Sequence, residues 1–370
     1  MEFRRLGRTG LMVSSVGLGS GSRMFMERGF KGPDAPVDVV RRAVDAGMTF
    51  IDTARTYYNS ENIVGEAVKG QRDRCVLATK TCIRKGAGVL KDVELSLVNL
   101  KTDIIDLYQL HNIDFENELK AVTSPGGALG MLKKAKENGK IRNIGVTGVN
   151  LKLMAECVKT GEIDAIQIPF DFIKRDETEK LIDLARAKDV GIIIMRPLAG
   201  GVLNAGAALG FLLSYGITTV IPSASSIEHV VANAAAGADP SGLSEADRAR
   251  LLPAMGGGLC VGCGACAGKC PQGIPITGIL RSAYYLPLSL SYARALFKKL
   301  GRLGECTSCG ECERACPYGV PVGAKIRETL MVFSRSRVEG LLTDMARKTG
   351  LYDKLRNIYF TGIKMPVPRR

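Results

Sequence analysis

Eight of the eleven cysteines fall in two runs of one spacing. The first is Cys260, Cys263, Cys266 and Cys270, closed by Pro271; the second is Cys306, Cys309, Cys312 and Cys316, closed by Pro317. C-x2-C-x2-C-x3-C-P is a spacing that holds [4Fe–4S] clusters. Three thiolates on a tight, glycine-relieved loop can cap one face of a cubane. The fourth, after a longer spacer, points away and ligates the other cluster. The spacing therefore assigns Cys260, Cys263, Cys266 and Cys316 to one cluster, and Cys306, Cys309, Cys312 and Cys270 to a second. Zinc favours paired C-x2-C units without a triple run. A disulfide framework belongs to short secreted chains. Cys75, Cys82 and Cys157 remain, and small buried hydrophobes are the default reading for them.

A second set of reactive side chains ends three apolar runs. One run closes as Phe50-Ile51-Asp52-Thr53, with Tyr57 and Tyr58 just behind; the next closes on Thr79-Lys80; a third runs from Asp106 to His111. Brought into one mouth, they form an acid–base site. A buried Asp and Lys are costly unless paired. A tyrosine beside that lysine is expected to have a lowered pKa, because the cation favours the phenolate. Such a tyrosine can donate a proton to a developing alkoxide, with histidine orienting the oxygen.

The elements that must position these residues alternate along the chain. Short runs rich in Val, Ile and Leu occur at Val13–Gly19, Thr49–Thr53, Cys75–Lys80, Ile104–His111, Ile141–Thr147, Ala165–Phe170, Gly191–Pro197 and Thr218–Pro222. They lack period-two alternation, which suits strands buried on both faces of a parallel sheet. Amphipathic stretches such as Val37–Ala46, Val89–Leu100, Ala128–Asn138, Thr178–Ala187 and Ile227–Ala236 lie between them. Gly47, Gly70, Gly139, Gly161, Gly191 and Gly216 read as helix C-terminal caps. Eight such pairs predict an α/β fold, a closed (β/α)8 TIM barrel over residues 1–255. A doubly wound sheet is the alternative. Its G-x-G-x-x-G fingerprint is broken here, since Gly17, Gly19 and Gly21 follow another spacing and read as a tight barrel-mouth loop. A polar segment at 238–244, a helix start at Ser244 and Asp247, and a flexible joint at Gly256–Gly258 are expected to end the barrel. Residues 256–323 are expected to form a small, mainly α-helical, two-cluster domain, with 284–299 helical. Residues 324–370 form a basic helical extension.

Composition narrows the classes. With 46% hydrophobic and 24% charged residues the chain reads as globular. No stretch approaches the ~18 apolar residues of a membrane span, and the start lacks the apolar run of a signal peptide. Reduced thiols imply a cytoplasmic setting. The formal charge is +14. Residues 256–370 hold 18 Lys+Arg against 7 Asp+Glu, so most of the charge sits at the cysteine-rich end. Such a field suits an acidic electron donor such as a ferredoxin or flavodoxin, or simply a solvated face. Nucleic acid is not expected, because no reading motif accompanies the charge. Leucines interleaved with basic residues in 324–370 read as core packing, or as weak association with a membrane surface.

Residues 1–236 resemble the aldo-keto reductases, through RRLGRTGLMVSSVGLGS, FIDTARTYYNSE, ATK, DLYQLH, IRNIGVTG and VIPSASSIEHVVANAAA in that order. The resemblance implies a catalytic tetrad of Asp52, Tyr57, Lys80 and His111, with Tyr57 rather than Tyr58 at the required distance from Asp52. It also implies an NAD(P)H site. The nicotinamide contacts fall on Thr147 (followed by Gly148 where the family has a Ser-Asn pair), on Gln167, and on Met195 and Arg196 where the family stacks an aromatic ring. The 2′-phosphate corner falls on Ser223, Ser225 and His229, where the family has basic residues, and on Asn233, which matches. The loop from Ala199 to Ala207 is short for a belt over the pyrophosphate. With the cysteine runs added, the chain is similar to the branch of the family carrying a C-terminal two-cluster ferredoxin-type domain. Three readings follow. In the first, a small-molecule carbonyl or related unsaturated compound is reduced by electrons delivered through the clusters, directly or through a flavin. The second is an NAD(P)H-dependent reductase with structural or redox-sensing clusters. The third is an electron-transfer subunit whose barrel is a scaffold.

Overall fold

The computed structural model describes residues 1–26, 30–171, 176–198, 205–238, 260, 263–285, 293, 295–296 and 306–329. The chain divides into two compact units, Met1–Arg248 and Ala249–Arg370.

The first unit opens with an antiparallel hairpin, β1 (Phe3–Arg5) and β2 (Met12–Ser14). Eight parallel strands follow: β3 (Leu18–Gly19), β4 (Phe50–Asp52), β5 (Val76–Thr81), β6 (Ile105–Leu110), β7 (Ile141–Thr147), β8 (Ala165–Pro169), β9 (Gly191–Met195) and β10 (Thr219–Ile221). Each pairs with the next in chain order. The ring closes where Gly17 N–H donates to Val220 O (2.8 Å), Val220 N–H to Ser15 O (3.0 Å) and Gly19 N–H to Pro222 O (3.1 Å). That is a (β/α)8 barrel. Gly19 permits the closure against β10, and Gly17 the close approach to β4. A Cβ on Gly17 would meet Phe50 O at 2.5 Å, and one on Gly19 would meet Ile221 O at 2.8 Å. The expected first strand over 13–19 is thus two short pieces, one in the hairpin and one in the barrel.

The helices are α1 (Arg23–Met26), α2 (Pro36–Asp45), α3 (Ser60–Ala67), α4 (Gly88–Leu100), α5 (Glu116–Thr123), α6 (Ala128–Glu137), α7 (Leu151–Lys159), α8 (Asp176–Ala187), α9 (Ala205–Leu213) and α10 (Ile227–Ala238). Helix α2 shows why they form. Pro36 stands in its first turn, and Val39, Val40, Ala43 and Val44 fall on one buried face. Gly47, Gly70, Gly139, Gly161 and Gly216 take the left-handed conformation expected of caps. Gly191 does not. It begins β9, and the left-handed residue before it is Asp189 (φ 52°). Gly191 is small because a Cβ would strike the Leu6 side chain at 2.6 Å.

The barrel core is a layer of Phe50, Ala78, Leu107, Ala165, Ile193 and Ile221, one residue from each of six strands. Leu6 and Val13 of the hairpin belong to the same cluster.

In the second unit, α11 (Ile276–Tyr285) and α12 (Glu311–Arg314) are helices, and 322–329 is helical. Ile274, Ile276, Ile279, Leu280, Val320, Val322 and Ile326 pack together with Cys266, and Cys260, Cys270, Cys306, Cys312 and Cys316 lie partly buried against them. The expected polar end at 238–244 (but for Ala238), the start at Ser244 and Asp247, the glycine joint, the loop from 199 to 204, most of 286–299 and the extension from 330 lie outside the described residues.

Candidate active site

Side chains in a strand alternate between faces, so two residues beyond the apolar layer the same face returns. Beyond Phe50 comes Asp52; beyond Ala78, Lys80; beyond Leu107, Gln109 and then His111; beyond Ala165, Gln167; beyond Ile193, Met195. A polar layer therefore sits on the apolar one, at the C-terminal ends of the strands. Gly145 on β7 makes room for it, since a Cβ there would lie 2.9 Å from the Gln109 side chain.

The layer is tightly bonded. Lys80, 0% exposed, donates from Nζ to both Asp52 oxygens at 2.7 Å and to Thr53 O at 2.7 Å. All three protons of the ammonium thus find acceptors, the condition under which a buried ion pair is tolerated. Gln109 Nε2 donates to Asp52 Oδ1 (3.3 Å) and to Gln167 Oε1 (2.8 Å). Burial pushes the Asp52 carboxyl up, against the pull of the Lys80 ammonium and its amide partners.

Tyr57 reaches this layer from the loop after β4. Its ring lies 5.2 Å from Lys80 Nζ and edge-on to the His111 ring, with centroids 5.8 Å apart at 79°. Gly21 lies against the ring; a Cβ there would contact Tyr57 Oη at 3.4 Å. Tyr58 is half exposed, at φ 44°. Burial raises the Tyr57 pKa, Lys80 pulls it down, Asp52 and Cys82 raise it and Arg196 lowers it. The expected lowering is thereby corrected. Loss of water around the phenol outweighs the cation, whose charge is already answered by Asp52. His111 is held from behind. Its N–H donates to Thr81 O (2.9 Å), its O accepts from Arg84 Nη1 (2.7 Å), and its Nδ1 lies 3.4 Å from Thr56 Oγ1 and 3.5 Å from Cys82 Sγ.

The four tetrad residues, Gln167 and Arg196 thus meet at one mouth. Thr147 is buried below it, with Oγ1 accepting from Asn112 N–H (2.9 Å). Met195 packs on the apolar layer. Ser223 and Ser225 lie just before the start of α10, and Asn233 lies in the middle of that helix. Ser223 is exposed, and Ser225 N–H donates to His229 Nδ1 (3.3 Å). Asn233 is buried, and its Nδ2 has no acceptor among the described residues.

A family model described as Aldo/keto reductase family matches residues 17–208. The chain belongs to the aldo/keto reductase family. Among aldo/keto reductase relatives, it is 31% identical over 218 residues to Aldo-keto reductase YhdN of Bacillus subtilis (strain 168), covering 55% of this chain and 64% of the relative. It is 34% identical over 224 residues to L-galactose dehydrogenase of Arabidopsis thaliana, covering 55% and 67%. Among solved structures, the holo form of an aldo-keto reductase from Bacillus halodurans superimposes with a TM-score of 0.56 at 25% identity, over 68% of this chain and 95% of that one. The aldo-keto reductase from Klebsiella pneumoniae in complex with NADPH does so with 0.52 at 26%, over 68% and 93%. The family match ends before the cysteine runs begin.

Sequence reasoning missed Gln109, which period two from Leu107 and His111 points to. It also missed Arg55 and Glu61, which brace the Tyr57 loop. Arg55 Nη1 donates to Glu61 Oε2 (2.5 Å), and buried Glu61 accepts from Thr79 Oγ1 (2.8 Å) and Ser96 Oγ (2.7 Å).

In the second unit, one pocket is lined by Cys260, Cys263, Cys266 and Cys316, with Leu280, Val320 and Val322 as its apolar wall. These are the four thiols assigned to one cluster from their spacing. Among the described residues, no three His, Cys, Asp or Glu side chains converge closely enough to hold a metal ion. A cubane asks for something different, one thiolate at each of four irons.

Proposed function

We propose that this chain reduces the carbonyl group of a small molecule at Tyr57, with a reduced nicotinamide dinucleotide as hydride source, and that its second unit carries two [4Fe–4S] clusters. The observation that carries the reading is the Asp52–Lys80 pair set against a Tyr57 ring that stands edge-on to His111. A dinucleotide fits the residues present. Asn233 holds a buried amide with no acceptor among the described residues, suited to a purine nitrogen, and the Klebsiella relative is described with NADPH.

When bound, the nicotinamide supplies a hydride to the carbonyl carbon. As the C=O pair moves onto oxygen, Tyr57 O–H donates its proton there and an alcohol results. His111 stands beside the phenol to orient the oxygen. The phenolate left behind faces the Lys80 ammonium until a solvent proton restores it. Asp52 fixes that ammonium in place through two hydrogen bonds, and Gln109 and Gln167 hold Asp52.

Tyr57→Phe is the direct test. It removes the proton and keeps the ring, so carbonyl reduction is expected to fall by roughly 10²- to 10⁴-fold, with dinucleotide affinity within about twofold by titration. Unchanged turnover would sink the reading and favour the barrel as a scaffold.

A second reading rests on the four-cysteine pocket. Electrons enter by the clusters from an acidic donor, and Tyr57 supplies only the proton. Cys263→Ala and Cys309→Ala together separate the two. Turnover on the dinucleotide that survives without clusters supports the hydride route. Turnover that demands a reduced ferredoxin and intact cysteines supports the other.

A further inference from the structure

The start of α10 is occupied in a way that bears on which dinucleotide fits, provided the hydride reading holds. A helix N-terminus ordinarily offers free amides and a positive dipole to an anion. Here that capacity is already used. Ile227 N–H donates to Asp34 Oδ2 (2.8 Å), His229 N–H to Ser226 Oγ (3.3 Å) and Val230 N–H to Ser226 O (3.3 Å). The Glu228 carboxylate takes its own amide and the Ser226 hydroxyl, which hold it below the usual range. Two carboxylates therefore sit where a phosphate would be attracted. Residues 222–238 contain no Lys or Arg, and Lys31 is the one cation on the segment 30–35 that carries Asp34. His229 adds no donor on the Ser225 side, because its Nδ1 accepts there. Independently, buried Asn233 on the same helix has no acceptor for its amide among the described residues.

We infer that Asp34 and Glu228 make this corner select NADH over NADPH. A ribose 2′-hydroxyl can donate to a carboxylate, as acidic residues do for NAD at other dinucleotide sites. A 2′-phosphate would bring its charge against two anions with no guanidinium or ammonium in 222–238 to meet it.

Calorimetric titration of the full chain with NADH and with NADPH tests this without any turnover. NADH is expected to bind at least about tenfold tighter. Asp34→Asn keeps an oxygen for the Ile227 amide and removes the charge. It is expected to narrow the preference by roughly fivefold, the scale of one screened charge pair, with melting temperature unchanged. Equal or tighter binding of NADPH overturns the selectivity and leaves the hydride reading standing. An unchanged ratio in Asp34→Asn overturns the role of Asp34. Binding of neither dinucleotide overturns both the selectivity and the hydride reading.

Discussion

In the proposed reaction Tyr57 gives its proton from the phenol form. Its pKa is raised by burial, and the pull of Lys80 does not reverse this. A raised pKa keeps the phenol protonated throughout the neutral range, so the proton-donating form persists up to and beyond the ordinary tyrosine pKa of about 10. Carbonyl reduction is therefore expected to stay level from neutral pH to about 10 and to decline only above it. The pH profile of kcat/KM for reduction checks this, and a basic limb in the neutral range contradicts it. Sequence could name Tyr57, Lys80, Asp52 and His111, because their types and order are visible. It could not give the sign of the tyrosine shift. That sign depends on how much water the folded mouth excludes, and on Lys80 already spending its three protons on Asp52 and Thr53.

At the scale of elements, the site is a consequence of period two. Six strands contribute one apolar residue each to a common layer, and the next residue on the same face is polar on four of them. The strand positions were legible because each run is short, β-branched and followed by an amphipathic stretch. The layer was not, because it depends on the register between strands that a helix separates in the chain, such as Asp52 opposite Ala78 and Thr147 opposite Gln167. Gly145 exposes this dependence. Gly145→Ala forces a methyl toward Gln109, 2.9 Å away, and so disturbs the amide that holds Asp52. Overpacking of this kind costs about 1–3 kcal/mol. Denaturant unfolding is expected to show that loss, together with a drop in kcat. A variant as stable and as active as the parent would show that the Gln109 contact is slack.

For the molecule as a whole, the cysteine pattern was the clearest signal in the sequence, and it lies beyond the residues the family match covers. The crossover assignment gives a stoichiometric expectation. Anaerobically purified protein should carry about eight iron atoms per chain, two cubanes of four. Cys316→Ala should leave about four, since Cys316 shares a pocket with Cys260, Cys263 and Cys266 rather than with its own run. Retention of about eight, or loss of all iron with the fold intact by circular dichroism, would contradict that pairing.

The hairpin at residues 3–14 carries a consequence for time. Arg4 Nη1 donates to Leu213 O and Ile217 O, Arg5 pairs with Asp189, and Gly17 joins Val220. These partners are roughly 180 to 210 positions apart along the chain. Contacts at such separation form late, because the loop they close must be ordered first. During synthesis, residues 3–17 wait without these distant partners until the stretch around 190–220 has emerged from the ribosome. For that interval β3 is an open edge with exposed backbone, and the nascent barrel is at its most vulnerable to chaperones, proteases and its own neighbours.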